Sequence, residues 1–282
     1  MTDIPENNND ELLDGDFEEF EEVTVAGDDD DGVIISFDSQ QGSRKSQQDY
    51  VSCDDGYEYT KNGRCIVVLC DGMGGMQGGE VYSRFSAEGM RRAYHDQPVA
   101  DNHLEFLKRT ILAIDMAASK LETSDGRPMR GGTTMLACII DSGYLYWASV
   151  GDSRIYLIRD GVGYQLTEDQ NYSLLLRKRV ELGEITPEQA ENDPQKDALI
   201  SYLGMGGIKY MGLSRTPEKL LPGDRVLLCS DGLYRAMSIN EICEVLETSD
   251  LAHAAEGLTS TAVNKGFPRQ DNTSAVVVSF LG

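Results

Sequence analysis

Apolar, β-branched runs recur along the chain, each bounded by glycine, aspartate, asparagine or serine. They predict strands at residues 33–37, 50–53, 65–70, 132–140, 144–150, 154–159, 225–230 and 273–280. The turns Asp141-Ser142-Gly143 and Arg159-Asp160-Gly161 join neighbouring runs and predict antiparallel hairpins. Helical periodicity predicts helices over 80–95, 101–122, 172–182, 187–191, 239–246 and 251–264. In the second of these, Leu104, Leu107, Ile111, Ile114 and Ala118 recur at three- and four-residue steps and form one buried stripe. Thr186 caps the short helix that opens on Pro187. Strand runs separated by helix pairs, with antiparallel turns, argue for α+β layers and against a doubly wound parallel sheet.

The pattern is continuous from Gly32 onward, so residues 32–282 are expected to form one domain. Residues 1–31 differ sharply. They hold fourteen Asp or Glu and no Lys or Arg, and they are poor in aromatic and β-branched residues. That composition suggests a disordered acidic tail, read as a solubilising extension in preference to a docking or autoinhibitory arm. The formal charge is −23 overall, which argues against nucleic-acid binding through a basic surface. No window is apolar enough to span a bilayer, and the start of the chain lacks a basic-then-apolar signal segment. The six cysteines form no C-x-x-C pair and read as buried, reduced thiols. A cytoplasmic monomer without membrane contact is expected.

Candidate chemistry enters with five aspartates at strand ends. They are Asp49 in Gln47-Gln48-Asp49, Asp71 in Asp71-Gly72-Met73-Gly74-Gly75, Asp152 in Gly151-Asp152-Ser153-Arg154, Asp231 in Ser230-Asp231-Gly232, and Asp271 in Asp271-Asn272. Acids at strand ends can converge on one sheet edge, where they repel one another unless cations hold them. Hard oxygen ligands without histidine or thiolate select magnesium or manganese. The glycines beside Asp71 allow a backbone carbonyl to approach a cation or a phosphate, although an Asp-Gly pair alone is usually a turn. They match neither a dinucleotide fingerprint nor a P-loop. Arg44 is either a solvated loop residue or a guanidinium that clamps phosphate through two hydrogen bonds.

Cys229-Ser-Asp-Gly-Leu-Tyr-Arg235 matches the cysteine, five residues, arginine spacing of cysteine-dependent phosphatases. Asp231 inside that loop would repel the phosphate and raise the thiol pKa, so the match reads as accidental. His95, His103 and His253 share no ligand spacing and read as surface or boundary residues. Arg177-Lys178-Arg179 reads as a solvated helix face.

Seven segments in order, from about Val33 to Leu281, resemble the metal-dependent serine/threonine protein phosphatases of the type-2C (PPM) family. They are Arg44-x-x-x-Gln48-Asp49, Asp71-Gly72-Met73-Gly74-Gly75, Gly131-Gly132-Thr133-Thr134, Val150-Gly151-Asp152-Ser153-Arg154, Leu166-Thr167-Glu168-Asp169, Cys229-Ser230-Asp231-Gly232-Leu233 and Asp271-Asn272-Thr273. The resemblance implies a four-layer sandwich of two antiparallel sheets flanked by helices on both faces. It implies hydrolysis of phosphoserine and phosphothreonine by a metal-activated bridging hydroxide, with two or three Mn2+ or Mg2+ as cofactors. Asp71 would bridge two metals, Asp231 and Asp271 would complete one site, and the Gly72 carbonyl would serve the other. Asp49 would ligate directly or through water, Arg44 would bind the substrate phosphate, and Asp152 with Asp231 would hold a third ion. Phosphorylated proteins are the implied partners, with a cognate serine/threonine kinase acting on the same targets.

Two departures point toward bacterial members. Gln48 replaces an acidic residue before Asp49, and Met73, which cannot donate a proton, stands where many members have histidine. The general acid is left unassigned. Residues 171–215 match a family segment that borders the active site, and its Gly204-Met205-Gly206-Gly207 stretch suits either mobility or a tight turn. The alternative function is a catalytically impaired phosphoprotein-binding regulator of the same fold.

Overall fold

The structure is a computed structural model that describes residues 32–74, 78–96 and 102–282. The acidic tail, Gly75 and Asp101 lie outside the described residues. The elements run β1 (Val33–Gln40), β2 (Asp49–Cys53), α1 (Gly56–Asn62), β3 (Arg64–Met73), α2 (Gly78–Asp96), α3 (His103–Ala118), β4 (Gly132–Thr133), β5 (Met135–Asp141), β6 (Tyr144–Val150), β7 (Arg154–Arg159) and β8 (Val162–Gln165). They continue with α4 (Tyr172–Glu181), α5 (Pro187–Glu191), β9 (Gly212–Leu213), β10 (Glu218–Lys219), β11 (Arg225–Cys229), α6 (Asp231–Tyr234), α7 (Ile239–Thr248), α8 (Ala254–Asn264) and β12 (Thr273–Phe280).

Two antiparallel sheets result. One has the order β1-β12-β11-β7-β8; the other has the order β10-β6-β5-β3-β2, with β4 added to β3 and β9 to β6. Alternation along the strands explains how they stack. On β3, Cys65, Val67 and Leu69 face the other sheet and meet Val226, Leu228, Val276 and Val278. Ile66, Val68 and Cys70 face outward, against Ala87 and Met90 of α2 and Leu107 and Ile111 of α3. A strand buried on both faces is apolar throughout, which is why β3 reads as an unbroken hydrophobic run. The outer face of the first sheet is covered by α6, α7 and α8 through Leu233, Ile242, Leu246 and Leu258. Helix, sheet, sheet, helix is the layering that the resemblance implied.

Several boundaries differ from the sequence reading for long-range reasons. The run at 132–140 is two strands, because Thr134 turns aside and binds Asp71: its N–H donates to the Asp71 carbonyl at 2.9 Å and its Oγ1 accepts from the Asp71 N–H at 3.0 Å. β3 continues through Gly72 and Met73 because Thr133 and Gly132 pair with them. The helix expected over 101–122 starts at His103, capped by the Asn102 side chain, and ends at Ala118. The segment 251–264 opens with a 3-10 turn before α8. His103 is buried and hydrogen-bonds Asp141 at 2.6 Å, so its reading as a surface or boundary residue is corrected; His95 is exposed and reaches the buried Asp54 at 2.7 Å. Among the described residues, no helix is long and apolar enough to cross a membrane.

Candidate active site

All five aspartates sit at one end of the sandwich. Asp49 opens β2 directly opposite Asp71, near the end of β3. Asp152 follows Gly151 in the turn between β6 and β7, and Asp231 begins α6 just beyond β11. Asp271 lies two residues before β12. Because β12 is antiparallel to β11, and β11 to β7, the end of one strand and the starts of its neighbours share one edge.

Backbone contacts set this end of the molecule. The Asp71 carbonyl accepts from Thr133 Oγ1 at 2.9 Å as well as from Thr134 N–H. Gly72 has no room for a side chain, since a β-carbon would lie 2.2 Å from the Gly79 carbonyl oxygen and 2.5 Å from that of Gln48. The start of α2 and the Gln48 backbone therefore press directly on the Asp71-Gly72 pair. Asn272 fastens the loop that carries Arg44. Its Nδ2 donates to the carbonyls of Gln41 and Ser46 at 2.9 and 3.1 Å, and its Oδ1 accepts from Gln48 N–H at 2.9 Å.

The electrostatics are unfavourable without counter-ions. Burial raises the carboxyl of Asp71 well above the usual range, and the charges of Asp49, Asp231, Asp152 and Asp271 raise it further. Burial pushes Asp49 up to about 6, opposed by hydrogen bonds from Ser274 and Ser230 and reinforced by Asp231. Asp152 is pushed up to about 7 by burial and then by Asp231. Asp231 is raised by burial, and Arg235 pulls it back. Four of the five acids are thus shifted in the direction that disfavours their charge.

Asp49 shows the imbalance atom by atom. Its Oδ2 accepts from Ser230 Oγ at 2.8 Å and Ser274 Oγ at 2.7 Å. Its Oδ1 is buried with no hydrogen-bond partner. A buried orphan oxygen beside a second carboxylate costs free energy unless something positive meets it. An all-oxygen donor set with one oriented, unpartnered carboxylate oxygen fits a hard divalent cation. The acids are gathered but not closed: among the described residues, no three His, Cys, Asp or Glu side chains form a finished ligand cluster. Cationic side chains occupy two of them instead. Arg44, 59% exposed, pairs with Asp271, and Arg235 pairs with Asp231 at 3.1 Å.

The sequence reading missed Arg235, Ser230, Ser274 and Tyr234 as site residues. Arg235, Ser230 and Tyr234 lie inside the quoted Cys229–Arg235 window, but only the fold turns Arg235 toward Asp231 and Ser230 toward Asp49. Tyr234 stacks under the Arg154 guanidinium at 3.7 Å, and that guanidinium holds Asp169 through two bonds of 2.7 and 3.0 Å. Cys229 is wholly buried, and burial pushes its thiol up to about 12. A buried thiol of that pKa is no nucleophile at neutral pH.

A sequence profile described as protein phosphatase 2C matches residues 34–181. The chain belongs to the protein phosphatase 2C family. It is 33% identical over 219 residues to the serine/threonine protein phosphatase PstP of Mycobacterium tuberculosis, an overlap of 78% of this chain and 41% of PstP. The chain thus spans about two fifths of the length of that relative. It is 31% identical over 240 residues to the protein phosphatase PhpP of Streptococcus pneumoniae, covering 84% of this chain and 92% of PhpP. Among solved structures, the PstP catalytic domain in complex with two manganese ions superposes with a TM-score of 0.70 at 31% identity, over 88% of this chain and 98% of that one. The match to type-2C phosphatase structures agrees with the helix-sheet-sheet-helix layering seen here.

Proposed function

We propose that this chain is a metal-dependent phosphoprotein phosphatase that hydrolyses phosphoserine and phosphothreonine, working with two Mn2+ or Mg2+ ions and room for a third. The observation that carries the reading is the orphaned Oδ1 of Asp49 among four other carboxylates. Asp71, with the most acidic neighbours, is the residue that would bridge two cations. Asp231 and Asp271 would complete one site, Asp49 and the Gly72 carbonyl the other, and Asp152 with Asp231 a third. Bound there, such ions supply a water nucleophile at neutral pH and neutralise charge on the phosphoryl oxygens.

The chain's own residues do the remaining work. Ser230 and Ser274 fix the Asp49 rotamer so that one oxygen stays presented. Arg44, anchored through Asn272 on an exposed loop, exchanges Asp271 for a phosphoryl group and holds it by paired hydrogen bonds. Met73 cannot donate the proton that the leaving serine or threonine oxygen needs; water is the proposed donor, and no side chain is assigned as general acid. The substrates are products of a serine/threonine kinase, which links such a kinase to the same targets. The non-catalytic alternative fares worse, because every acid of the set is present.

Hydrolysis of a phosphothreonine peptide with manganese, with EDTA, and by the Cys229→Ser variant tests the reading. Activity abolished by EDTA and unchanged in Cys229→Ser is expected. Inactivity with every divalent metal would favour the binding regulator. EDTA-resistant activity that vanishes with Cys229 would overturn the metal assignment.

A further inference from the structure

Asp115 is a buried carboxylate of α3, 1% exposed, that takes no part in the acidic end of the sandwich. Its Oδ1 accepts two backbone N–H groups from residues far along the chain, Gly204 at 2.9 Å and Gly206 at 3.2 Å. Both glycines have positive φ, +99° and +70°. A β-carbon at Gly204 would lie 2.6 Å from the Tyr82 ring, and one at Gly206 would lie 3.1 Å from Ser119. The segment is therefore a tight turn shaped to aim two amides at one anionic oxygen, an arrangement of the kind that binds anions generally.

The turn is tied to the candidate active site on its other side. Leu203 exchanges two backbone hydrogen bonds with Thr133, at 2.8 and 3.1 Å. Thr133 in turn pairs with Gly72 and bonds the Asp71 carbonyl. Farther on, Gly212 and Leu213 join β6 opposite Ser149 and Ala148, just before Gly151-Asp152. The insertion at 171–215 is thus pinned at Asp115, at the strand beside Asp71 and at the strand before Asp152. At β6 the backbone pairing is joined by Ser214 Oγ, which accepts from Trp147 N–H at 3.3 Å. The Asp115 contact is made by a helix side chain, so it can be removed without altering a strand.

We propose that Asp115 is a positioning residue: it latches the 171–215 insertion in register against the Asp71 strand and so governs how a protein substrate, as opposed to a small phosphate ester, meets the site. The proposal rests on the phosphatase reading. A buried carboxylate bonded to two amides holds them strongly, and its loss frees the turn to open locally.

Asp115→Ala and Asp115→Asn in the full chain test it through three readouts: amide hydrogen exchange over residues 199–213, manganese binding by calorimetry, and kinetics on a phosphothreonine peptide and on p-nitrophenyl phosphate. In Asp115→Ala, exchange at the Gly204 and Gly206 amides should rise about tenfold or more. Peptide kcat/KM should fall about tenfold, mainly through KM, while the small ester changes by less than about twofold. Manganese affinity should hold. Asp115→Asn keeps an acceptor oxygen and should fall between Asp115→Ala and the native chain.

Unchanged exchange would overturn the latch. Equal loss on both substrates together with weakened manganese binding would also overturn it, since that marks general damage to the site. If Asp115→Ala does not fold, Asp115→Asn and Gly206→Ala, which crowds the same turn from the Ser119 side, decide the matter by the same peptide-to-ester ratio. If the native chain cleaves neither substrate with any divalent ion, the phosphatase reading fails by itself, and exchange in the variants still decides whether the latch exists.

Discussion

The two ends of β11 carry aspartates in contrasting surroundings. At its start, Asp224 is 2% exposed, and its carboxylate accepts Arg159 Nε at 2.9 Å, Arg159 Nη2 at 2.6 Å and the Leu221 N–H at 2.8 Å. Just past its end, Asp231 has one cationic partner of its own in Arg235 and is pressed by Asp271, while it in turn raises Asp49, Asp71 and Asp152. Five residues of strand separate a finished ion pair from an unfinished one. A buried acid whose partners are complete organises the fold. A cluster of five acids answered by two arginines is a destabilising arrangement, retained where something outside the chain completes it.

The contrast can be broken from either side. The largest effect should come from Asp71→Asn, which removes the residue most surrounded by acids; manganese-dependent hydrolysis should fall on the order of a thousandfold or more, measured by phosphate release. At the other end, Asp224→Ala leaves Arg159 without its bidentate partner and should lower stability by about 3 kcal/mol in urea titration.

Asp49→Asn should do the reverse in metal-free protein. The folded-state pKa of Asp49 is raised to about 6 from an ordinary value of 3.8. The unfolded chain therefore releases this proton more readily, and this residue's contribution to stability falls as pH rises from about 4 to about 6. Removing the charge should stabilise the metal-free fold at pH 7.5 by about 1–3 kcal/mol while weakening manganese binding. Among these effects the smallest is a pH dependence. The rise in Tm on adding Mn2+ should be greater at pH 8 than at pH 5.5, because protons compete for Asp49 and for Asp152, whose pKa is pushed up to about 7. An equal rise at both values would mean that these acids do not hold the cation.

Much of this was legible in the chain. β3 and β12 are buried on both faces, so the apolar runs 65–70 and 275–278 within them declared them, and the acids at strand ends followed from where such runs stop. Less legible was whatever depends on a distant partner. The break at Thr134 exists because that residue binds Asp71, sixty-three positions away. Gly78 and Gly79 enter α2, where sequence preference argued against them, because the Arg130 and Gly72 backbones leave no space for β-carbons. Ser230 and Ser274 resemble ordinary strand-end serines until the fold points both at Asp49. Asp115 carried no signal in the sequence, and only the turn folded over it shows its use.

The most direct test of the account is a manganese anomalous difference map from crystals of the protein. Two strong peaks within the space bounded by Asp49, Asp71, Asp231 and Asp271, with the Asp49 Oδ1 turned toward one of them, is the result the account predicts. Peaks confined to surface acids, with Asp49 still bound to its two serines and Asp231 and Asp271 to their arginines, would contradict it.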